Sequence, residues 1–87
     1  MTDKLEWQPL WDAIEANPAA WIPTTEKMFW EMLEGLPPRA MAGDTFLVGE
    51  PLRSNEQGET LYACFSRIGE NYRARNLTVK QFKEMTS

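Results

Sequence analysis

Proline placement limits the folding options of this chain more than any other feature. The six prolines stand at positions 9, 18, 23, 37, 38 and 51. Each fixes its own φ and pushes the residue before it out of the helical region. Helices must therefore fit between them, and the long proline-free stretch of residues 52–87 is where an uninterrupted hairpin can form.

Around the first of these, Trp7, Leu10, Trp11 and Ile14 recur at i, i+3, i+4 and i+7, which is one face of a helix. Pro9 suits a first turn and Asn17-Pro18 closes the segment, so a helix is predicted over about residues 9–17. Asp12 and Glu15 fall on its outer side. A second helix, over about residues 25–34, follows Pro23. Thr24 or Thr25 caps it and Glu26 complements its positive end. Phe29, Met32, Leu33 and Leu36 form its inward stripe, Gly35 closes it, and Pro37-Pro38 forbid continuation.

The stretch Pro38–Gly43 reads as a short helical turn or loop. Thr45–Val48 is a β-type run that Gly49 and Pro51 end. Ser54–Glu59 is a turn with Gly58 at positive φ, and Thr60–Ile68 is the longest strand. Gly69-Glu70 fits a type II′ hairpin, with return over Tyr72–Leu77. That turn sets Arg67 opposite Tyr72, Phe65 opposite Ala74 and Tyr62 opposite Leu77. Leu61, Ala63, Phe65, Tyr72 and Ala74 then share the face toward the helices; Tyr62, Ser66, Arg73 and Arg75 share the other. Thr78-Val79-Lys80-Gln81 is a capping box that opens a short terminal helix, with Val79 and Phe82 inward. The expected fold is a single α+β domain over residues 1–87. Its order is ααβββα: two N-terminal helices, a three-stranded antiparallel β-meander and a short C-terminal helix, with the helices on one face.

Residue types exclude more functions than they suggest. The 87 residues contain no histidine and one cysteine, which removes the usual neutral-pH base, the commonest metal ligand, and any internal disulfide. Cys64 lies in the apolar run Leu61–Phe65 and reads as a buried, inert thiol. The five glycines are isolated from one another, so no phosphate-binding loop is present. Asn55–Glu59 lacks the first ligands of a calcium loop. Glu31 and Glu34, at i, i+3, read as a solvated helix face. No catalytic residue, metal or cofactor is expected, and the chain is read as a non-enzyme. No apolar run approaches the roughly 20 residues of a membrane helix. The first residues lack the apolar core of a secretory signal, so a cytoplasmic location without membrane contact is expected.

Two constellations remain as candidate binding surfaces. Net charge is −4; residues 1–43 account for all of it and residues 44–87 balance to zero. The acidic half also holds Trp7, Trp11, Trp21 and Trp30. Trp7 and Trp11 fit the core. Trp30 falls off the inward stripe and Trp21 lies in a linker, so Trp30, Trp21, Met28, Glu31 and Glu34 form a candidate surface for a protein partner, a basic one by charge. A homodimer is the other partner expected of this surface. The second constellation is Tyr62, Arg73 and Arg75 on the outer sheet face, an arrangement suited to single-stranded nucleic acid. Against it, an acidic chain repels phosphate, and Glu50, Glu59 or Glu70 could pair with those arginines.

The segments Leu36-Pro37-Pro38-Arg39-Ala40-Met41, Phe46-Leu47-Val48-Gly49-Glu50-Pro51 and Leu61-Tyr62-Ala63-Cys64-Phe65 resemble small bacterial proteins carried on plasmids, phages and other mobile elements. The likeness covers about residues 29–82. It implies a bacterial or mobile-element origin and a family without assigned chemistry, and it transfers no site residue. The expected function is a small non-enzymatic protein-interaction module, an accessory or inhibitory protein of a mobile element. A nucleic-acid-binding module is the alternative.

Overall fold

The structure is a computed structural model. It describes the backbone of residues 4–17, 19–35 and 38–86, and their side chains apart from those of 4–7 and 50–52. The element order is α1 (Lys4–Ala16), β1 (Ile22–Thr24), α2 (Glu26–Gly35), β2 (Pro38–Ala42), β3 (Thr45–Ser54), β4 (Thr60–Ile68), β5 (Asn71–Leu77) and α3 (Val79–Thr86). One antiparallel sheet of five strands runs in the order β1-β5-β4-β3-β2. The α+β class and the β3-β4-β5 meander agree with expectation.

The expected ααβββα order needs correction at two places. β1 forms in the connection between the helices, where Ile22–Thr24 pair with Tyr72–Ala74. β2 replaces the helical turn expected over residues 38–43, and Ala40, Met41 and Ala42 pair with Leu47, Phe46 and Thr45. Both are edge strands, defined more by the neighbour they pair with than by their own pattern. Two boundaries also move. α1 starts at Lys4, which places Pro9 inside the helix. β3 runs past Gly49 and Pro51 to Ser54 because register shifts on either side of Pro51 absorb the irregularity.

The β4-β5 hairpin follows the expected register: Arg67 faces Tyr72, Phe65 faces Ala74 and Tyr62 faces Leu77. Gly69 has φ +61° and no other residue type among those described has positive φ, as a type II′ turn requires. Gly58, at φ +79°, closes the β3-β4 turn. There the Asn55 side-chain oxygen accepts from the amides of Gln57 (3.0 Å) and Glu59 (2.9 Å). The α3 capping box also forms. The Gln81 amide donates to the Thr78 hydroxyl at 3.1 Å and the Thr78 amide donates to Gln81 Oε1 at 3.0 Å.

Side-chain alternation gives the sheet two buried faces. On one, Phe46, Val48, Ala63, Phe65 and Ala74 meet Leu10 and Ile14 of α1 and Phe29 and Met32 of α2. Phe29 is the hub, with Trp30, Phe46 and Tyr72 edge-on to it at 5.1, 5.2 and 5.1 Å between ring centres. On the other face, Leu47, Tyr62, Cys64 and Leu77 pack with Phe82 of α3. The helices therefore do not share one face: α1 and α2 cover one side and α3 part of the other. Leu47 and Leu77 made that second face partly apolar, so it needed a cover of its own. The inward roles expected of Trp7 and Leu36, and the break at Pro18, lie outside the described residues.

Candidate functional site

The sheet separates the residues expected to form one partner surface. Trp30, Met28, Glu31 and Glu34 stay on α2, whereas Trp21 packs on the opposite face against the Leu47–Phe82 cluster. Even on α2 the side chains diverge, because positions i and i+2 do not face each other on a helix. Trp30 is 37% exposed. Met28 is half-buried at the inner cluster, and the Thr24 hydroxyl donates to its sulfur at 3.6 Å. Met28 lines an apolar groove between α1 and β1 with Leu10, Ala13 and Ile22. Glu34 is exposed as expected, whereas Glu31, 3.9 Å from Lys27, is largely covered and its Oε1 is buried without a hydrogen-bond partner, so it does not stand on a solvated face. Met41, 53% exposed on β2, pairs with Phe46.

The three residues of the second constellation do lie on one face, joined there by Trp21 and Arg39. The Arg73 guanidinium lies over the Trp21 ring, 4.2 Å from its centre. Arg39, the extra residue of the β2 bulge between Pro38 and Ala40, reaches over Tyr62 at 5.4 Å. Tyr62 itself is only 8% exposed, so its ring is a floor under Arg39 rather than an open platform. Arg75 stands opposite Cys64 in the ladder. The Nε atoms of Arg73 and Arg75 are buried without a hydrogen-bond partner. Ion pairs with Glu59 and Glu70 do not form; among the described residues the pairs are Lys27–Glu31, Arg53–Glu15 and Arg67–Asp44. Glu50 as a partner lies outside the described side chains. Cation–π packing instead holds Arg73 over Trp21 and Arg39 over Tyr62, and such packing does not itself neutralise a charge.

Cys64 is fully buried between them. Burial pushes its thiol up to about 12, against the opposing pull of Arg73 and Arg75. A thiol held protonated is a poor nucleophile. Among the described residues no cluster of three acids or cysteines could hold a metal ion, and no helix is long and apolar enough to cross a membrane.

Charge is sorted by layer. Among the described side chains, α1 and α2 carry Asp12, Glu15, Glu26, Glu31 and Glu34 against Lys27. The opposite layer carries Arg39, Arg73, Arg75, Lys80 and Lys83 against Glu84. The balanced C-terminal half of the sequence thus hides a cationic face, because Asp44, Glu56, Glu59 and Glu70 sit in or beside turns.

One further polar residue escaped the sequence reading. Asn76 is 5% exposed on the helical side of β5, and its Oδ1 has no hydrogen-bond partner. The signal was present: the hairpin register puts residue 76 on the same face as Ala74, where an apolar residue is expected. No protein-family model, curated protein or solved structure matches the chain.

Proposed function

We propose that this protein is a non-enzymatic protein-interaction module whose acidic helical layer receives a basic partner, with Trp30 as the anchor. The observation that carries this reading is the sorting of charge across the sheet, which puts the acids of α1 and α2 in the same layer as the exposed Trp30. Such a field steers a basic partner to that side, and a desolvated tryptophan at an interface centre supplies affinity. Trp21 leaves the proposed surface, because it is stacked under Arg73 on the other face. The role of an accessory or inhibitory protein in the bacterial cytoplasm rests on the sequence resemblance alone. The test is affinity capture with the parent, Trp30→Ala and Glu31→Lys/Glu34→Lys proteins. A basic protein retained by the parent and lost from both variants, at unchanged melting temperature, supports the proposal. Equal recovery by all three removes it.

A second reading draws on the stacked arginines. Arg39, Arg73 and Arg75 share a face and enter none of the ion pairs among the described residues, which favours single-stranded nucleic acid on that face despite the net charge of −4. Titration with oligo(dT) and oligo(U) tests it. Binding should weaken steeply between about 50 and 200 mM salt and weaken further in Arg73→Gln/Arg75→Gln. Absence of binding at the lower salt excludes this reading.

A further inference from the structure

We propose that the open end of the helical face is a binding site for a neutral nucleobase, recognised edge-on by the Asn76 amide. α1 and α2 cover the sheet over Phe46, Phe65 and Ala74 but leave a cleft beyond them. The cleft has two compartments that share Glu15, Arg53 and Asn76. The larger has a volume of about 340 Å³ and includes Leu61; the smaller, about 150 Å³, includes Gln8 and Trp11. The larger alone reaches the range of about 300–1,000 Å³ in which small-molecule sites fall.

Three features narrow the ligand. The first is Asn76, which is 5% exposed and keeps a buried side-chain oxygen without a partner. Buried polar atoms are nearly always paired, and Asn76 lines both compartments, so its unpaired oxygen asks for a donor from outside the chain. A primary amide offers an acceptor and donors in one plane, the complement of a donor–acceptor edge such as that of adenine. The second is Trp11. Its ring is set edge-on against Phe65, 6.2 Å between centres, which fixes an aromatic wall beside the amide. Flat rings of any base pack on such walls.

The third is charge. Arg53 and Glu15 hold each other at 2.6 Å, and Glu56 also lines the larger compartment. Among the described lining residues the one cation is already neutralised and acid outnumbers base. An anionic ligand is therefore disfavoured, and a carboxylate has no donor to give Asn76. A neutral base or nucleoside satisfies all three conditions. The site lies apart from Trp30 and from the arginine face, so it neither requires nor supports the partner proposed above.

The test is a nitrogen-15 NMR titration of the full chain with adenosine, with uridine, adenosine 5′-monophosphate and benzoate as separate arms. Adenosine or uridine should move the Asn76 side-chain amide and the Trp11 indole N–H together. The two nucleosides decide between a purine and a pyrimidine. The monophosphate should bind more weakly than adenosine, and benzoate should leave both signals in place. Asn76→Leu should keep the fold and lose the response; Asn76→Ser serves if the leucine variant does not fold. The proposal is overturned if neither nucleoside moves the Asn76 amide at millimolar concentration. It is equally overturned if benzoate or the monophosphate binds as well as adenosine, or if a folded Asn76 variant retains binding.

Discussion

The guanidinium of Arg73 lies 4.2 Å from the ring centre of Trp21, which fastens the connection between the first two helices to the last strand. Cation–π contacts of this kind contribute about 0.5–2 kcal/mol, more when desolvated. A double-mutant cycle with Trp21→Leu and Arg73→Gln, followed by urea unfolding, should give a coupling near 1 kcal/mol. Additive single variants would mean that the stack contributes nothing.

Cys64 predicts a pH dependence. Its thiol is raised from 9.0 to about 12 in the folded chain, so the folded state holds the proton more tightly than the unfolded state. The associated stability is fully present below pH 9 and is lost as pH rises toward 12. The slope contributed by this one group is at most about 1.4 kcal/mol per pH unit. Melting temperatures of the parent should fall more steeply between these pH values than those of Cys64→Ala. Parallel curves would show that the thiol does not titrate differently in the two states. A thiol reagent at neutral pH should label the native protein slowly and the denatured protein fast.

Phe29 and Trp30 are neighbours in sequence and opposites in energetics. Phe29 is 2% exposed at the centre of three ring contacts, and its truncation to alanine should cost about 3–5 kcal/mol. Trp30, 37% exposed, should cost far less and shift the melting temperature by only a few degrees. Calorimetry on the two variants checks the ordering. A Trp30→Ala protein as unstable as Phe29→Ala would place Trp30 in the core and remove the anchor of the proposed surface.

The cover over the second face depends on a short helix. Thr78→Ala removes the hydroxyl that accepts from the Gln81 amide and should cost about 1 kcal/mol. Phe82→Ala should cost more, because it withdraws the α3 ring packed on Tyr62, Leu77 and Cys64. It should also speed Cys64 labelling, which reads directly whether α3 shields that face.

The parts of the fold that sequence predicts well are those whose signals are local. Gly69-Glu70 fixed a turn, and a turn of known type fixes every pairing in the hairpin. Thr78 and Gln81 likewise marked a helix start by chemistry confined to four residues. β1 and β2 carry no such signal: one is Ile-Pro-Thr and the other Pro-Arg-Ala-Met-Ala. Their strand state comes from β5 and β3 offering free edges. The candidate site shows the same division. Tyr62, Arg73 and Arg75 share a face because alternation along paired strands is local information. Trp21 joined them and left Trp30 because β1 threads the inter-helix connection along β5, a long-range event. Arg39 arrived through a bulge in a strand that the residues themselves do not announce.

Both margins of the sheet are poor templates for further growth. β1 is three residues long and its centre is Pro23, which has no amide hydrogen to donate. β2 begins with Pro38 and is broken by the bulge at Arg39. Short, proline-bearing, irregular edges resist the strand-by-strand addition that turns β-rich chains into fibrils. Copies of this protein that meet in solution thus find little edge on which to zip backbone to backbone, and their broad faces are the ground left for contact.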